Sequence, residues 1–206
     1  MELIGHALNY EDPAYVREQG VLYNYRIAGN GVFLEAQRSE LSVLFRISKA
    51  EIRGLEPILH RFEYELPPVP LGQVERMIER AQEFAAASLE TLFHLSWSDL
   101  NPWNDGWIVE EPEQDRAHST CRPLEDGGSH DRAIIEIHSH HSMEAKFSPQ
   151  DNLDETGFRI YGVIGRLSKK PEIRMRVGVY GYFWEIPASW VLELPEGLKD
   201  CNREGE

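Results

Sequence analysis

Three prolines within the five residues 66–70, which read Leu-Pro-Pro-Val-Pro, constrain the fold of this chain more than any other feature. Proline has no amide donor and disfavours helical backbone in the residue before it, so neither a helix nor a central strand runs through this segment. We therefore place a boundary here. It predicts an N-terminal unit over residues 1–68, a larger domain over residues 69–195, and a polar, acidic, frayed tail over residues 196–206.

Strand-like and helix-like patterns separate clearly on the two sides of this break. Residues 21–27, 32–36 and 41–47 are rich in aromatic and branched side chains and are separated by turn signals, which predicts a β-rich N-terminal unit. Residues 71–88 repeat apolar side chains at three- and four-residue spacing, which predicts an amphipathic helix.

Further strands are predicted after this helix, over residues 89–95, 133–137, 158–167 and 172–184. A second helix is expected to begin at Ser148. Together these elements predict a mixed α/β fold in which a sheet is flanked by helices and preceded by the small β-rich unit.

The composition disfavours several classes of function. The formal net charge is −14, from 35 acidic and 21 basic residues, and such a surface repels the phosphates of nucleic acids. Five basic side chains within residues 166–176 are interpreted as a solvated hairpin. There is neither a long apolar run nor a leader pattern, and the chain has two cysteines. We therefore expect a cytoplasmic protein without membrane or direct nucleic-acid partners.

Two histidines at the end of a predicted buried strand suggest a metal site. His138 and His140 are two residues apart, so their imidazoles project from the same face of a strand. Asp151 lies in the first turn of the next predicted helix, where its carboxylate can point back to the strand end. Two nitrogens and one oxygen can hold a zinc ion with a fourth tetrahedral position left for water, as in catalytic zinc sites.

Each part of this arrangement also has a purely structural interpretation. A His-x-His pair alone is weak evidence for a metal. Ser148, Pro149 and Asp151 have the residue types of a helix N-terminus: a serine cap, a proline in the first turn and an acidic group at the positive end of the helix dipole. The joint spacing across strand, loop and helix is what favours a metal site.

The same residues carry a resemblance to a known family. His138, His140, Ser148 and Asp151 are spaced as His-x-His, seven residues, Ser-x-x-Asp. This resembles the signature of the JAMM, or MPN-plus (JAB domain), zinc metallopeptidases, and the resemblance covers roughly residues 70–190. It implies a JAMM-type curved β-sheet flanked by helices.

The resemblance also implies a role for each matching residue. His138, His140 and Asp151 would bind one catalytic Zn²⁺ ion, and Ser148 would help to stabilise an oxyanion. Glu90, on the predicted strand after the first helix, would be the general base. Glu136 is the alternative base, because it precedes His138 by two residues and shares its strand face.

Four further residues are candidates for substrate contact. The chain departs from the family pattern at His141, where many relatives have proline, and we expect His141 and Glu144 to lie on the substrate side of the site. Trp103 and Trp107 lie in an irregular segment. They either fix loops to the core or form an aromatic platform for the substrate's extended tail.

The family resemblance implies a peptidase or isopeptidase that processes or removes a ubiquitin-like modifier. A finer likeness, carried by residues 158–166 and 176–181, is to the protein A family of bacterial PRTRC cassettes. It implies a ubiquitin-like substrate and a ThiF-like, E1-like enzyme as partners. Two alternatives stay open: a non-catalytic MPN-type scaffold, and a JAMM protein that acts beside DNA, for which the charge disfavours direct contact.

Overall fold

The chain divides into two compact units, residues 1–66 and residues 67–206. The described residues of the first unit form strands without a helix, and the second unit combines strands with a few helices, which confirms the mixed α/β class. In the part of the chain that is described, no helix has the length and apolar character needed to cross a bilayer. The computed structural model describes residues 4–8, 21–100, 106–116, 121–123 and 128–202.

The N-terminal unit is one sheet with its strands in sequence order. The strands are β1 (Ile4–Leu8), β2 (Tyr23–Ala28), β3 (Gly31–Gln37), β4 (Leu41–Lys49) and β5 (Arg61–Tyr64). Strands β2 to β5 are antiparallel, and β1 pairs parallel with β2. The three strands predicted here are confirmed. Buried Phe33 and Leu44 pack with Ala28 and Ile58 in its core.

The larger unit is built on a seven-stranded mixed sheet. Its strands are β6 (Leu92–Trp97), β7 (Trp107–Glu110), β10 (Ile135–His140), β11 (Phe158–Gly165), β12 (Glu172–Val179), β13 (Tyr182–Ile186) and β14 (Lys199–Asp200). A separate two-stranded sheet contains β8 (Gln114–Arg116) and β9 (Cys121–Pro123). The helices are α1 (Leu71–Ala85), α2 (Ser129–Arg132) and α3 (Pro149–Asp154). The main sheet runs β13-β12-β11-β10-β6-β7, with β14 beside β12, and β10 is parallel to β11.

Helix α1 confirms the predicted amphipathic helix. Val74, Met77, Ile78 and Ala81 are buried at the expected three- and four-residue spacing. Its first turn has no side-chain cap from the preceding proline, and the Glu193 carboxylate instead accepts a hydrogen bond from the first helical amide at 2.9 Å.

The pairing of β6 with β10 determines which side chains face each other near the predicted site. The strands are antiparallel, and the Ser139 amide donates to the Thr91 carbonyl at 2.9 Å. The Thr91 amide donates to the Ser139 hydroxyl oxygen at 3.0 Å. If the same antiparallel register is continued past Ser139 and Thr91, Glu90 lies opposite His140.

Three segments differ from the prediction. The strand predicted over residues 89–95 is β6 (Leu92–Trp97), so Glu90 lies just before the strand. Residues 172–184, predicted as one strand, form β12 and β13 because Tyr180 and Gly181 adopt positive φ angles of 48° and 90° and make a tight turn. The tail predicted to be frayed contains β14. The buried carboxylate of Asp200 accepts a hydrogen bond from the Ala188 amide at 2.9 Å, which ties this segment to the domain.

Candidate metal centre

His138, His140 and Asp151 converge at the end of β10. The Nε2 atoms of the two histidines are 3.2 Å apart, and Asp151 Oδ1 lies 3.6 Å from His138 Nε2. One donor atom from each residue lies within 4.8 Å of the others. Donors in a tetrahedral zinc site with bonds of 2.0–2.1 Å are about 3.3 Å apart, so the three residues have the spacing that one metal ion requires.

The start of α3 fixes the carboxylate of Asp151. The Ser148 hydroxyl oxygen accepts a hydrogen bond from the Asp151 amide at 3.1 Å, and Asp151 Oδ2 accepts one from the Ser148 amide at 2.5 Å. This reciprocal pair is a capping box. One carboxylate oxygen therefore holds the helix start while the other faces His138, so the helix-cap and metal-ligand interpretations are compatible.

The two imidazoles have the charge state and orientation of metal ligands. Burial lowers the pKa of both, that of His138 to about 4, so both rings are neutral at neutral pH. The Glu144 carbonyl oxygen lies 3.4 Å from His140 Nδ1 and can accept its hydrogen, which leaves the Nε2 lone pair directed at the cluster. Neutral imidazole with a free lone pair is the form that binds metals.

Glu90 lies beside these donors, and one of its carboxyl oxygens has no hydrogen-bond partner among the described residues. Its side chain is 3% exposed, and Oε1 lies 3.9 Å from His140 Nε2. Among the described residues, Glu90 Oε1 has no hydrogen-bond partner. Burial, helped by the negative charge of Asp151, raises the pKa of Glu90 to about 8. A buried carboxyl with an unsatisfied oxygen, next to three residues that could hold a metal ion, fits a site for a divalent cation.

A second group that could hold a metal ion lies nearby on the same face of the sheet. It consists of His94, His130 and Glu136. Here Arg159 Nη1 is 3.3 Å from Glu136 Oε2 and 3.3 Å from His130 Nδ1. The guanidinium already neutralises the carboxylate and would repel a cation. The charges therefore favour the first group as a metal site and, because Glu136 is paired, they favour Glu90 over Glu136 as a base.

Arg176 contacts the helix that carries Asp151 and stabilises its position. The sequence patterns did not reveal these contacts. This buried guanidinium donates to Asn152 Oδ1 at 2.6 Å and to Glu155 Oε2 at 2.8 Å. It also stacks 3.8 Å over the ring of Phe147. These three contacts flank Asp151 on both sides in sequence, so they restrict its movement. The sequence spacing does not predict these contacts of Arg176, because they depend on which residues of β12 face α3.

Two residues predicted to contact substrate are buried. Trp107 is fully buried, packs against Trp97 and donates its indole N–H to the Pro67 carbonyl at 3.0 Å. It fixes the loop to the core and cannot form the predicted aromatic platform. His141 is 4% exposed, and its carbonyl accepts a hydrogen bond from the Leu167 amide. Its place on the substrate side of the site stays a prediction.

The other residues predicted for the site are Glu144, Ser148 and Trp103. Glu144 is exposed and forms an ion pair with Arg166, so a substrate can reach it. Ser148 uses its hydroxyl oxygen as an acceptor for the helix cap, which leaves the hydroxyl hydrogen to be donated elsewhere. Trp103 lies outside the described residues.

Comparison with protein-family models finds no match to this chain, and comparison with curated proteins finds no relative. Membership of the JAMM family therefore stays a prediction from the spacing of the four signature residues.

We expect the contribution of Glu90 to the stability of the metal-free protein to fall as the pH rises from about 4.5 to about 8. Folded Glu90 keeps its proton up to its pKa of about 8, whereas the unfolded chain releases it near 4.5. At this residue the folded state therefore binds more protons within this window, and the contribution of Glu90 to the free energy of unfolding falls as the pH rises through it, by about 5 kcal/mol at most. Urea unfolding in the presence of a chelator, at a series of pH values, measures this change.

The matched variants for this experiment are Glu90→Gln and Glu79→Gln, the second at an exposed position of α1. Glu90→Gln should remove the contribution of Glu90 from the pH dependence of stability, and Glu79→Gln should leave the pH dependence of the wild type unchanged. A Glu90→Gln variant with the same pH dependence as the wild type would show that Glu90 ionises normally in the folded protein.

Proposed function

We propose that this protein is a zinc-dependent peptidase or isopeptidase of the JAMM type that processes or removes a ubiquitin-like modifier. The observation that carries the proposal is the convergence of His138, His140 and Asp151 beside the buried carboxyl of Glu90, whose Oε1 has no hydrogen-bond partner among the described residues. The spacing of the signature residues supports the family, and a mixed sheet with few helices is compatible with it.

The residues around the cluster supply the acid–base groups that hydrolysis needs. The chemistry that a bound zinc ion provides is polarisation of the scissile carbonyl and acidification of a water molecule. Glu90 is placed to take the proton of the attacking water and to return it to the leaving amine. Its pKa of about 8 without metal suits a group that holds a proton between two steps.

Ser148 and the surrounding surface complete the proposed site. The hydroxyl hydrogen of Ser148 is free to donate to the oxyanion that develops on the substrate, and one such donor contributes about 3–4 kcal/mol. Met143 and Leu153, on the segments that carry the ligands, are 42% and 70% exposed. We expect a polypeptide substrate bound at the cluster to contact these exposed side chains.

The substrate and partners belong to the same proposal. The likeness to PRTRC protein A supports a ubiquitin-like protein or its conjugates as substrate and a ThiF-like enzyme as partner. A non-catalytic scaffold would have no need of a buried carboxyl with an unsatisfied oxygen beside the proposed metal ligands, because burying such a group is costly.

Cleavage of ubiquitin-like fusions tests the proposed function. We expect the zinc-loaded protein to cut a ubiquitin-like protein from a reporter after the modifier's C-terminal glycine. A chelator should stop the reaction, and added zinc should restore it. Stoichiometric zinc binding without cleavage of peptide-linked or isopeptide-linked fusions would contradict the assigned substrate class and favour the scaffold.

A further inference from the structure

A pocket of about 530 Å³ lies next to the proposed catalytic site. We call it the basic pocket. Its charged lining consists of five basic side chains and three acidic ones: Lys146, Arg166, Arg174, Arg176 and Lys199, with Glu144, Glu172 and Glu185. The whole chain has 35 acidic and 21 basic residues, a ratio of five to three, and the basic pocket inverts that ratio. A local surplus of positive charge on so acidic a protein attracts anions.

The basic pocket opens on the same sheet face as the proposed metal site. Glu136, two residues before His138, pairs with Tyr161 of β11, and Tyr161 pairs with Arg176 of β12. Directly paired residues project from the same face of a sheet. Arg174, two residues along β12, shares that face.

The basic pocket and the proposed metal site are also bordered by the same segments of the chain. Residues 144–147 line the basic pocket and belong to the segment that joins His140 to Ser148. Asn152, the neighbour of Asp151 in α3, lines it too. An extended peptide advances about 3.3 Å per residue, so a substrate with its cut bond at the metal cluster reaches the basic pocket within a few residues.

The two lysines are the basic side chains of the pocket that form no ion pair with a described residue. Arg166 forms ion pairs with Glu144 and Glu172, and Arg174 forms one with Glu185. Arg176 is likewise paired, as described above.

Lys146 and Lys199 are both exposed, and neither forms an ion pair with a described residue. The interpretation of the basic cluster as a solvated hairpin therefore suits Lys169 and Lys170, which lie in the turn outside the pocket, and not the three arginines that line it.

We propose that the basic pocket binds an acidic side chain of the substrate polypeptide a few residues from the cut bond, with Lys146 and Lys199 as its main contacts. This inference rests on the proposed function, because the bound side chain belongs to the substrate of that function. The basic pocket would select among substrates by their charge. Neutral and basic sequences at that position would be cut less efficiently.

Peptide binding tests this selection separately from catalysis. The probes are a fluorescein-labelled peptide rich in glutamate and the same peptide with glutamine in place of glutamate, and binding to the full chain is followed by anisotropy. We expect the glutamate peptide to bind about tenfold more tightly than the glutamine peptide, because each exposed charge contact contributes modestly. The double variant Lys146→Glu, Lys199→Glu should remove that preference.

The matched control is Lys169→Glu with Lys170→Glu, which makes the same change of charge at exposed positions outside the basic pocket. It should keep the preference for glutamate. Equal binding of the two peptides by the wild type, or equal losses in both double variants, would overturn the proposal. Binding of acetate that depends on the two pocket lysines, without a preference between peptides, would show a small-anion site and overturn it as well.

Failure of the proposed function has a different signature. If the wild type prefers the glutamate peptide but cleaves no fusion in the presence of zinc, the pocket assignment stands and the hydrolase assignment fails. If fusions are cleaved at equal kcat/KM whether glutamate or glutamine flanks the cut bond, hydrolysis stands and the pocket proposal fails.

Discussion

Glu90→Gln should bind zinc and fold like the wild type, yet cleave a ubiquitin-like fusion about 10²- to 10⁴-fold more slowly, the range that general acid–base groups contribute. Glutamine keeps the shape of the side chain but cannot accept the proton of the attacking water. The carboxyl that it replaces is buried, and its Oε1 lies 3.9 Å from His140 Nε2 and has no hydrogen-bond partner among the described residues. The measurement is kcat on the zinc-loaded variant, with metal content determined on the same sample.

Glu136→Gln is the matched control, because Glu136 lies on the same sheet face but is paired with Arg159. We expect Glu136→Gln to keep kcat within a few-fold of the wild type and to lose some stability from the broken ion pair. If Glu90→Gln stays active while Glu136→Gln loses activity, the base is Glu136. If both stay active, neither is the base.

His138→Ala and Asp151→Asn should each weaken zinc binding by more than 100-fold, since loss of an outer-shell partner alone costs 10- to 100-fold. Asparagine retains an oxygen that can accept the hydrogen bond from the Ser148 amide, so Asp151→Asn keeps the helix cap while it removes the charged ligand. Asp151→Ala removes both. Competition with a chromophoric chelator gives the affinities, and circular dichroism checks that each variant is folded.

A variant of the second histidine group distinguishes the two candidate metal sites. His130 is half-exposed and belongs to the group that contains Arg159, so His130→Ala should fold and bind zinc like the wild type. Weaker zinc binding in His130→Ala, with unchanged binding in His138→Ala, would move the ion to the second group.

Local patterns in the sequence were sufficient to predict part of the fold and part of the candidate site. The amphipathic spacing of Val74, Met77, Ile78 and Ala81 predicted α1, and the residue types around Ser148 predicted the start of α3. The spacing of His138 and His140 placed both rings on one strand face. Each of these inferences uses residues that are close in sequence, where backbone geometry alone decides which side chains meet.

The remaining features depend on contacts between residues far apart in sequence. The register of β6 against β10 brings Glu90 opposite His140, and no local pattern encodes it. The burial of Trp107 depends on the Pro67 carbonyl, 40 residues earlier in the chain. The charge balance of the second histidine group depends on Arg159, and no local pattern in the sequence places Arg159 beside that group.

The content of zinc after equilibrium dialysis tests the central claim most directly. Dialysis against a modest excess of zinc, followed by elemental analysis, should give about one ion per chain for the wild type and for His130→Ala. His138→Ala should give almost none. A wild type that holds no zinc under these conditions, or a His138→Ala variant that holds as much as the wild type, would contradict the account.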